Sequence, residues 1–135
     1  MTSNNYRRGP GDAKWKEVRD KVRDRDKFCR LMRKLKISEA YELKNNASRK
    51  ELSILDPAHV IPTSAAPHMV YDEDNIVLLN RYSHEQLDYN RSPVNGKSIT
   101  KDEVSLWWAK IVGLEKYQEL VQRAKNKKKG GDDDE

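Results

Sequence analysis

A chain of 135 residues holds enough material for one domain with a modest core and little for a second. Hydrophobic and charged residues each make up 36%, no run approaches the ~20 apolar residues needed to cross a bilayer, and the first residues lack the apolar core of a secretory signal. The single cysteine, Cys29, excludes an internal disulfide framework and a multi-cysteine zinc cluster, so the chain reads as a cytoplasmic protein with no membrane partner.

The net charge of +5 is unevenly spread, with 16 Lys/Arg against 7 Asp/Glu in residues 1–50, 3 against 7 in 51–100 and 8 against 8 in 101–135. A basic arm beside an acidic middle suits a protein that grips phosphates with one part and holds a cation with another. Residues 1–11, with Arg7, Arg8, Gly9, Pro10 and Gly11, predict a flexible basic arm ahead of a single domain over residues 12–124. Asp12 is placed to cap a helix in which Trp15, Val18 and Val22 recur at i, i+3 and i+7, a core-facing stripe. After a break near Asp24-Arg25-Asp26, Phe28, Leu31 and Leu35 continue that stripe, and residues 44–50 read as a polar loop. Asp56-Pro57-Ala58-His59-Val60-Ile61-Pro62 is an extended segment bounded by prolines, and Ile76-Val77-Leu78-Leu79 suits a second strand. Asn80 to Asp88 has no Gly or Pro and predicts a helix. Thr100 with Glu103 makes a capping box for a helix carrying Val104, Trp107, Trp108 and Ile111, which Gly113 ends. Leu114, Tyr117, Leu120 and Val121 line a last helix, and residues 125–135 read as a disordered charged tail.

Chemistry concentrates between Asp56 and Asp88. His59 falls near the end of the first strand, while His84 and Asp88 stand at i and i+4 on one helix face, close enough to chelate one ion. With Asp56 from the strand they offer mixed oxygen and nitrogen donors that leave positions open for water and phosphate.

The order His59, Asn75, His84, spaced by 16 and then 9 residues with Ile61-Pro62 after the first His, resembles the ββα-metal (His-Me finger) motif of HNH endonucleases over about residues 52–90. The basic helix ending in Arg25-Asp26-Lys27-Phe28-Cys29 resembles the segment that precedes this motif in small phage and bacterial members. The resemblance implies an α+β fold in which a short two-stranded antiparallel sheet and a helix form the core, flanked by N- and C-terminal helices. It implies metal-dependent hydrolysis of DNA phosphodiester bonds, as nicking or double-strand cleavage. His59 would activate water, Asn75 would fix the long loop and with it the orientation of His59, and His84 would bind a single Mg²⁺ or Mn²⁺ ion. Asp88 sits where a further ligand is found in some relatives. Most of the family has a metal-binding Asp or His just before the general base. Here Ala58 stands there, and Asp56 is its replacement, so an Asp returned to position 58 is expected to rescue a chain lacking Asp56.

Many relatives also hold a structural zinc with two Cys-x-x-Cys pairs, whose matching positions are Cys29/Met32 and Asn80/Ser83. Three of the four ligands are missing, so no structural zinc is expected, and packing of Trp15, Phe28, Trp107 and Trp108 takes over its role. DNA is the expected partner, gripped by Arg7, Arg8, Lys14, Lys16, Arg19, Lys21, Arg23 and Arg25, with Arg81 and Arg91 flanking the site. His68 and Cys29 read as structural. The alternative is a non-catalytic DNA-binding or phage packaging-associated module that keeps the fold, with phage packaging proteins as partners.

Overall fold

The computed structural model describes the backbone of residues 11–133 and the side chains of residues 13–126. Arg7 and Arg8 of the expected arm lie outside the described residues. The chain is α+β. Its helices are α1 (Gly11–Asp26), α2 (Ile37–Asn46), α3 (Arg49–Ser53), α4 (Arg81–Asp88), α5 (Lys101–Val112) and α6 (Leu114–Asp133). Strands β1 (Leu55–His59) and β2 (Ile76–Asn80) form a two-stranded antiparallel sheet with Leu55 opposite Asn80 and His59 opposite Ile76. No helix among the described residues is long and apolar enough to cross a membrane.

The register explains how a proline sits inside β1. Pro57 lies opposite Leu78, whose N–H donates to Asp26 Oδ2 at 3.0 Å and whose carbonyl accepts from the Arg30 amide at 2.9 Å. The backbone groups of Leu78 therefore face away from β1, and the N–H that Pro57 lacks is one the ladder never needed.

The outer edge of β2 would be a row of unpaired amides and carbonyls, which costs free energy when buried. The end of α1 and the turn after it satisfy that row. Arg25 donates through Nη2 to the Ile76 carbonyl at 2.6 Å, Asp26 and Arg30 take both groups of Leu78, and the Asn80 amide donates to Cys29 Sγ at 3.3 Å. Lys27, at φ 64°, makes the left-handed step that stops α1 and turns the chain along the strand. The stripe expected on α1 is buried on the sheet face: Val18 and Val22 pack on Ile76 and Leu78, with Trp15 partly buried beside them. Each buried aliphatic side chain contributes about 1.5–3 kcal/mol. The other face of the sheet, through Ala58, Val77 and Leu79, joins the main core with Leu31, Leu43, Leu87, Trp108, Ile111 and Leu120.

Several expectations need correction. α1 begins at Gly11, so Asp12 lies inside the helix and does not precede it. The polar segment 44–50 is not a loop, because α2 runs to Asn46 and Ser48 opens α3, accepting from the Glu51 amide at 3.0 Å while Glu51 accepts from the Ser48 amide at 2.8 Å. Phe28 is 67% exposed and does not extend the buried stripe, since the turn at Lys27 rotates it outward. The helical backbone of α6 continues past residue 124, where an unstructured tail was expected; its lysines are good helix formers. The capping box at Thr100, the stop at Gly113 and the start of the last helix at Leu114 fall where the sequence places them.

Candidate active site

His59 is the last residue of β1, and its ring lies beside α1, where the Trp15 indole stacks on it at 5.5 Å between centroids and 21° between planes. Its Nε2 lies 2.9 Å from the Val70 carbonyl. A carbonyl oxygen only accepts, so Nε2 carries the hydrogen and Nδ1 holds the lone pair of the neutral ring. Burial pushes the imidazole below its ordinary 6.5, the Val70 carbonyl and Asp88 oppose that shift, and His84 adds to it. The ring is thus unprotonated near neutral pH, as a general base needs to be.

Asn75 is fully buried and closes the loop between the strands. Its Oδ1 accepts from the Ile61 amide at 2.8 Å, its Nδ2 donates to the Ile61 carbonyl at 3.0 Å, and its own carbonyl accepts from the Val60 amide at 2.8 Å. The residues that follow His59 are clamped to the start of β2, and this fixes the direction in which β1 delivers the imidazole. α6 secures the rest of the loop: Arg123 donates to Asp72 at 2.7 Å and to Asp74 at 3.2 Å, and its carbonyl accepts from His68 Nε2 at 3.2 Å. His68 belongs to this support and does not line the cleft described below.

His84 and Asp88 sit one turn apart on α4, whose start is capped by Asn80 Oδ1 accepting from the Ser83 amide at 2.8 Å. The imidazole of His84 lies between two carboxylates, with Nδ1 3.2 Å from Asp56 Oδ2 and Nε2 3.5 Å from Asp88 Oδ2. Burial lowers the affinity of His84 for its second proton, but the hydrogen bond that His84 donates to Asp56 and the charges of Asp88 and Asp56 outweigh it, so its pKa stands above 6.5. Asp56 is also gripped by a forked pair from Arg81, Nε to Oδ2 at 3.2 Å and Nη2 to Oδ1 at 3.0 Å. Burial alone would raise the Asp56 carboxyl, yet His84 and Arg81 bring it down to about 2.

Asp56 and Asp88 thus meet different nitrogens of one ring. The three residues form a line and not the cup expected of a joint ligand set, and among the described residues no group of three His, Cys, Asp or Glu side chains is arranged to hold a metal ion. Ala58 is 1% exposed and faces the main core, so position 58 does not open toward His84.

These residues share one open cleft of about 930 Å³. Trp15 and Arg19 of α1 line it together with Asp56, His59, His84 and Asp88, and Lys101, Ser105 and Trp108 of α5 close another side. Among the described residues expected to grip DNA, Arg19 alone reaches into this cleft. Lys14, Lys16, Lys21 and Arg23 are exposed on α1, with Lys16 paired to Asp20 at 3.2 Å and Lys21 to Glu73 at 3.7 Å. Arg25, also expected to grip DNA, ties the fold together: its guanidinium donates to Asp26, to the Glu73 carbonyl at 2.9 Å and to the Ile76 carbonyl. Arg81 is held by Asp56, and the Arg91 guanidinium stands over the Tyr89 ring at 5.5 Å. Trp108 is buried and Trp107 is partly covered, with Lys110 over its ring at 5.2 Å.

Of the positions matched to zinc ligands, Cys29, Asn80 and Ser83 are joined by hydrogen bonds, the last through its amide to Asn80 Oδ1. Asn80 donates from its amide and from Nδ2 to Cys29 Sγ at 3.3 and 3.4 Å, and Ser83 Oγ donates to the Pro93 carbonyl at 2.8 Å. The aromatic packing expected in this role is not what fills it, because Phe28 is exposed and Trp15 lies over His59.

Comparison of the chain with protein-family models, with curated proteins and with solved structures gave no match.

Proposed function

We propose that the protein is a metal-dependent endonuclease of the His-Me finger type that hydrolyses DNA phosphodiester bonds. One observation carries the reading. A strand-end histidine with a free lone pair shares its cleft with a histidine–carboxylate pair on the helix that directly follows the second strand. Two further features support it: the Asn75 clamp on the loop between the strands, and the meeting of Cys29 with Asn80, the pairing that the resemblance to zinc-holding relatives calls for.

For a divalent cation the donors that fit are His84 Nε2 and Asp88. Their 3.5 Å separation is close to that of two donors about 2.0–2.3 Å from one ion, and Asp88 has no Lys or Arg partner among the described residues. Asp56, occupied by Arg81, orients the ring through Nδ1, as carboxylates behind metal-bound imidazoles do. When bound, Mg²⁺ or Mn²⁺ supplies neutralisation of charge developing on the phosphate and on the leaving 3′-oxygen. His59 Nδ1 takes the proton from the water that attacks phosphorus, and the Val70 carbonyl holds Nε2–H throughout, so the ring neither turns nor changes tautomer. Asn75 keeps the strand end in place and Trp15 covers one ring face.

Plasmid relaxation with Mg²⁺ or Mn²⁺ tests the reading, run beside His59→Ala. The wild-type chain should nick or cut, and the variant should lose about 10²–10⁴-fold in rate while still binding DNA. Cleavage by His59→Ala at the wild-type rate removes His59 from the chemistry. DNA binding without any cleavage by the wild type favours the non-catalytic module, a reading to which the buried Ala58 and the occupied Asp56 lend weight.

A further inference from the structure

We propose that Arg19 forms a phosphate-binding subsite within the His59 cleft, taking two oxygens of one phosphodiester through Nε and a terminal nitrogen. The choice of a phosphodiester among oxyanions rests on the endonuclease reading; the anion site itself stands on the geometry of Arg19.

Arg25, Arg30, Arg81 and Arg123 each meet a carboxylate. Arg19 has no ion pair among the described residues, and its Nε is buried with no hydrogen-bond partner. Leaving a buried donor unsatisfied costs about 1–3 kcal/mol, more for a charged group. The cost is compatible with a stable fold where a ligand oxygen completes the bond. Arg19 lines the same cleft as His59, so its side chain forms part of the wall of the proposed reaction site and a small movement of the guanidinium would bring Nε to a ligand oxygen there.

Helix geometry sets the spacing. Arg19 follows Trp15 by four residues, so the two share one face of α1, about one 5.4 Å turn apart. Trp15 is fixed against the His59 ring. A base within about 3 Å of a water, and that water about 3–3.5 Å from phosphorus, put the phosphate roughly one helical turn from the imidazole. That is the step from Trp15 to Arg19. Nε and a terminal nitrogen present parallel N–H groups that match two phosphate oxygens, which a lysine cannot do. Asp56, Glu85 and Asp88 also line the cleft, as does Lys101 of α5, so its charge is mixed and an anion is drawn to the cationic stretches and away from the carboxylates.

The test follows the arginine Nε–H resonances of the full chain in ¹H–¹⁵N spectra, assigned with Arg19→Lys, during titration with inorganic phosphate, dimethyl phosphate and a DNA oligonucleotide, with chloride as the ionic-strength control. The Arg19 signal should shift saturably with all three and not with chloride. Saturation by inorganic phosphate but not by dimethyl phosphate or DNA would identify a free-phosphate site and overturn the phosphodiester assignment. A signal that stays still while DNA binds overturns the proposal. In cleavage, Arg19→Ala should lower kcat about 10²-fold, the usual loss for one donor to a reacting oxyanion, and Arg19→Lys should recover only part of it. A raised Kd with unchanged kcat would make Arg19 an ordinary outer grip and also overturn the proposal. If the wild type cleaves nothing, the endonuclease reading falls, and the dimethyl phosphate and DNA titrations still decide the subsite.

Discussion

Replacing Asn75 by alanine separates loop clamping from chemistry, and its magnitude follows from two bonds. Asn75 is fully buried, and its side chain satisfies both the amide and the carbonyl of Ile61, at 2.8 and 3.0 Å. Removing it leaves a donor and an acceptor without partners in a buried setting, at about 1–3 kcal/mol each. A loss of roughly 3–5 kcal/mol is a large part of the 5–15 kcal/mol that holds a small domain folded. With a urea slope of about 1–3 kcal/mol per molar, the unfolding midpoint should fall by roughly 2 M. Asn75→Asp sharpens the test: a carboxylate still accepts from the Ile61 amide but cannot donate to its carbonyl, and it buries a charge, so it should be no better than alanine. Cleavage at concentrations where the variant remains folded should also drop, since the residues after His59 lose their anchor. A stability loss below about 1 kcal/mol for Asn75→Ala would refute the clamp.

Ala58→Asp should not rescue a chain lacking Asp56, because position 58 faces the core opposite Val77; thermal melts should show a loss of a few kcal/mol from the buried carboxylate, and unchanged stability would place the side chain in the cleft after all. Asp56→Ala should weaken metal binding by about 10–100-fold, as expected for a residue that orients a ligand, whereas His84→Ala should weaken it more; calorimetric titration ranks the two, and the opposite order would make Asp56 the ligand. Asp26→Asn leaves Arg25 and Arg30 without their buried partner and should cost about 3 kcal/mol at neutral pH. Burial raises the Asp26 carboxyl, but Arg25 and the Leu78 amide bring it below 3.8, so its contribution is full above that value and is lost as pH falls through the lowered pKa. Urea melts from pH 7 downward should therefore show wild type and variant converging in acid, and parallel profiles would contradict this.

The elements that carry strong local signals were legible in the sequence: the Thr100 capping box, the stop at Gly113, the apolar run of β2 and the stripe of Trp15, Val18 and Val22. The positions His59, Asn75 and His84 could be singled out because their order and spacing follow a known pattern. Long-range pairing was hidden. Nothing near Asp26 in the sequence announces that it meets the Leu78 amide, 52 residues away. Arg25 looked like one more cation on a basic helix because its partners are backbone carbonyls of residues 73 and 76. Ser48-x-x-Glu51 is a local signal that could have been read, and the polar composition around it masked α3. Asp56, His84 and Asp88 are brought together as their spacing suggests, but spacing alone cannot say which nitrogen of an imidazole each carboxylate meets.

The small sheet links stability to the cleft. With two strands, β2 has an outer edge that the end of α1 must cover, and Asp26 is the residue that takes its central amide. The same helix carries Trp15 in its first half and Arg19 near its middle. Asp26 lies seven residues beyond Arg19, about 10 Å at 1.5 Å per residue. A tilt of roughly 5° about the Asp26 tie would therefore move Arg19 by about 1 Å, a misplacement that can cost a reaction about 10²-fold. The ties at Asp26 and the stack of Trp15 on His59 hold α1 at two points, one on the sheet edge and one on the His59 ring. A helix with a single anchor could cover the sheet; two are needed for it to aim a guanidinium into the cleft.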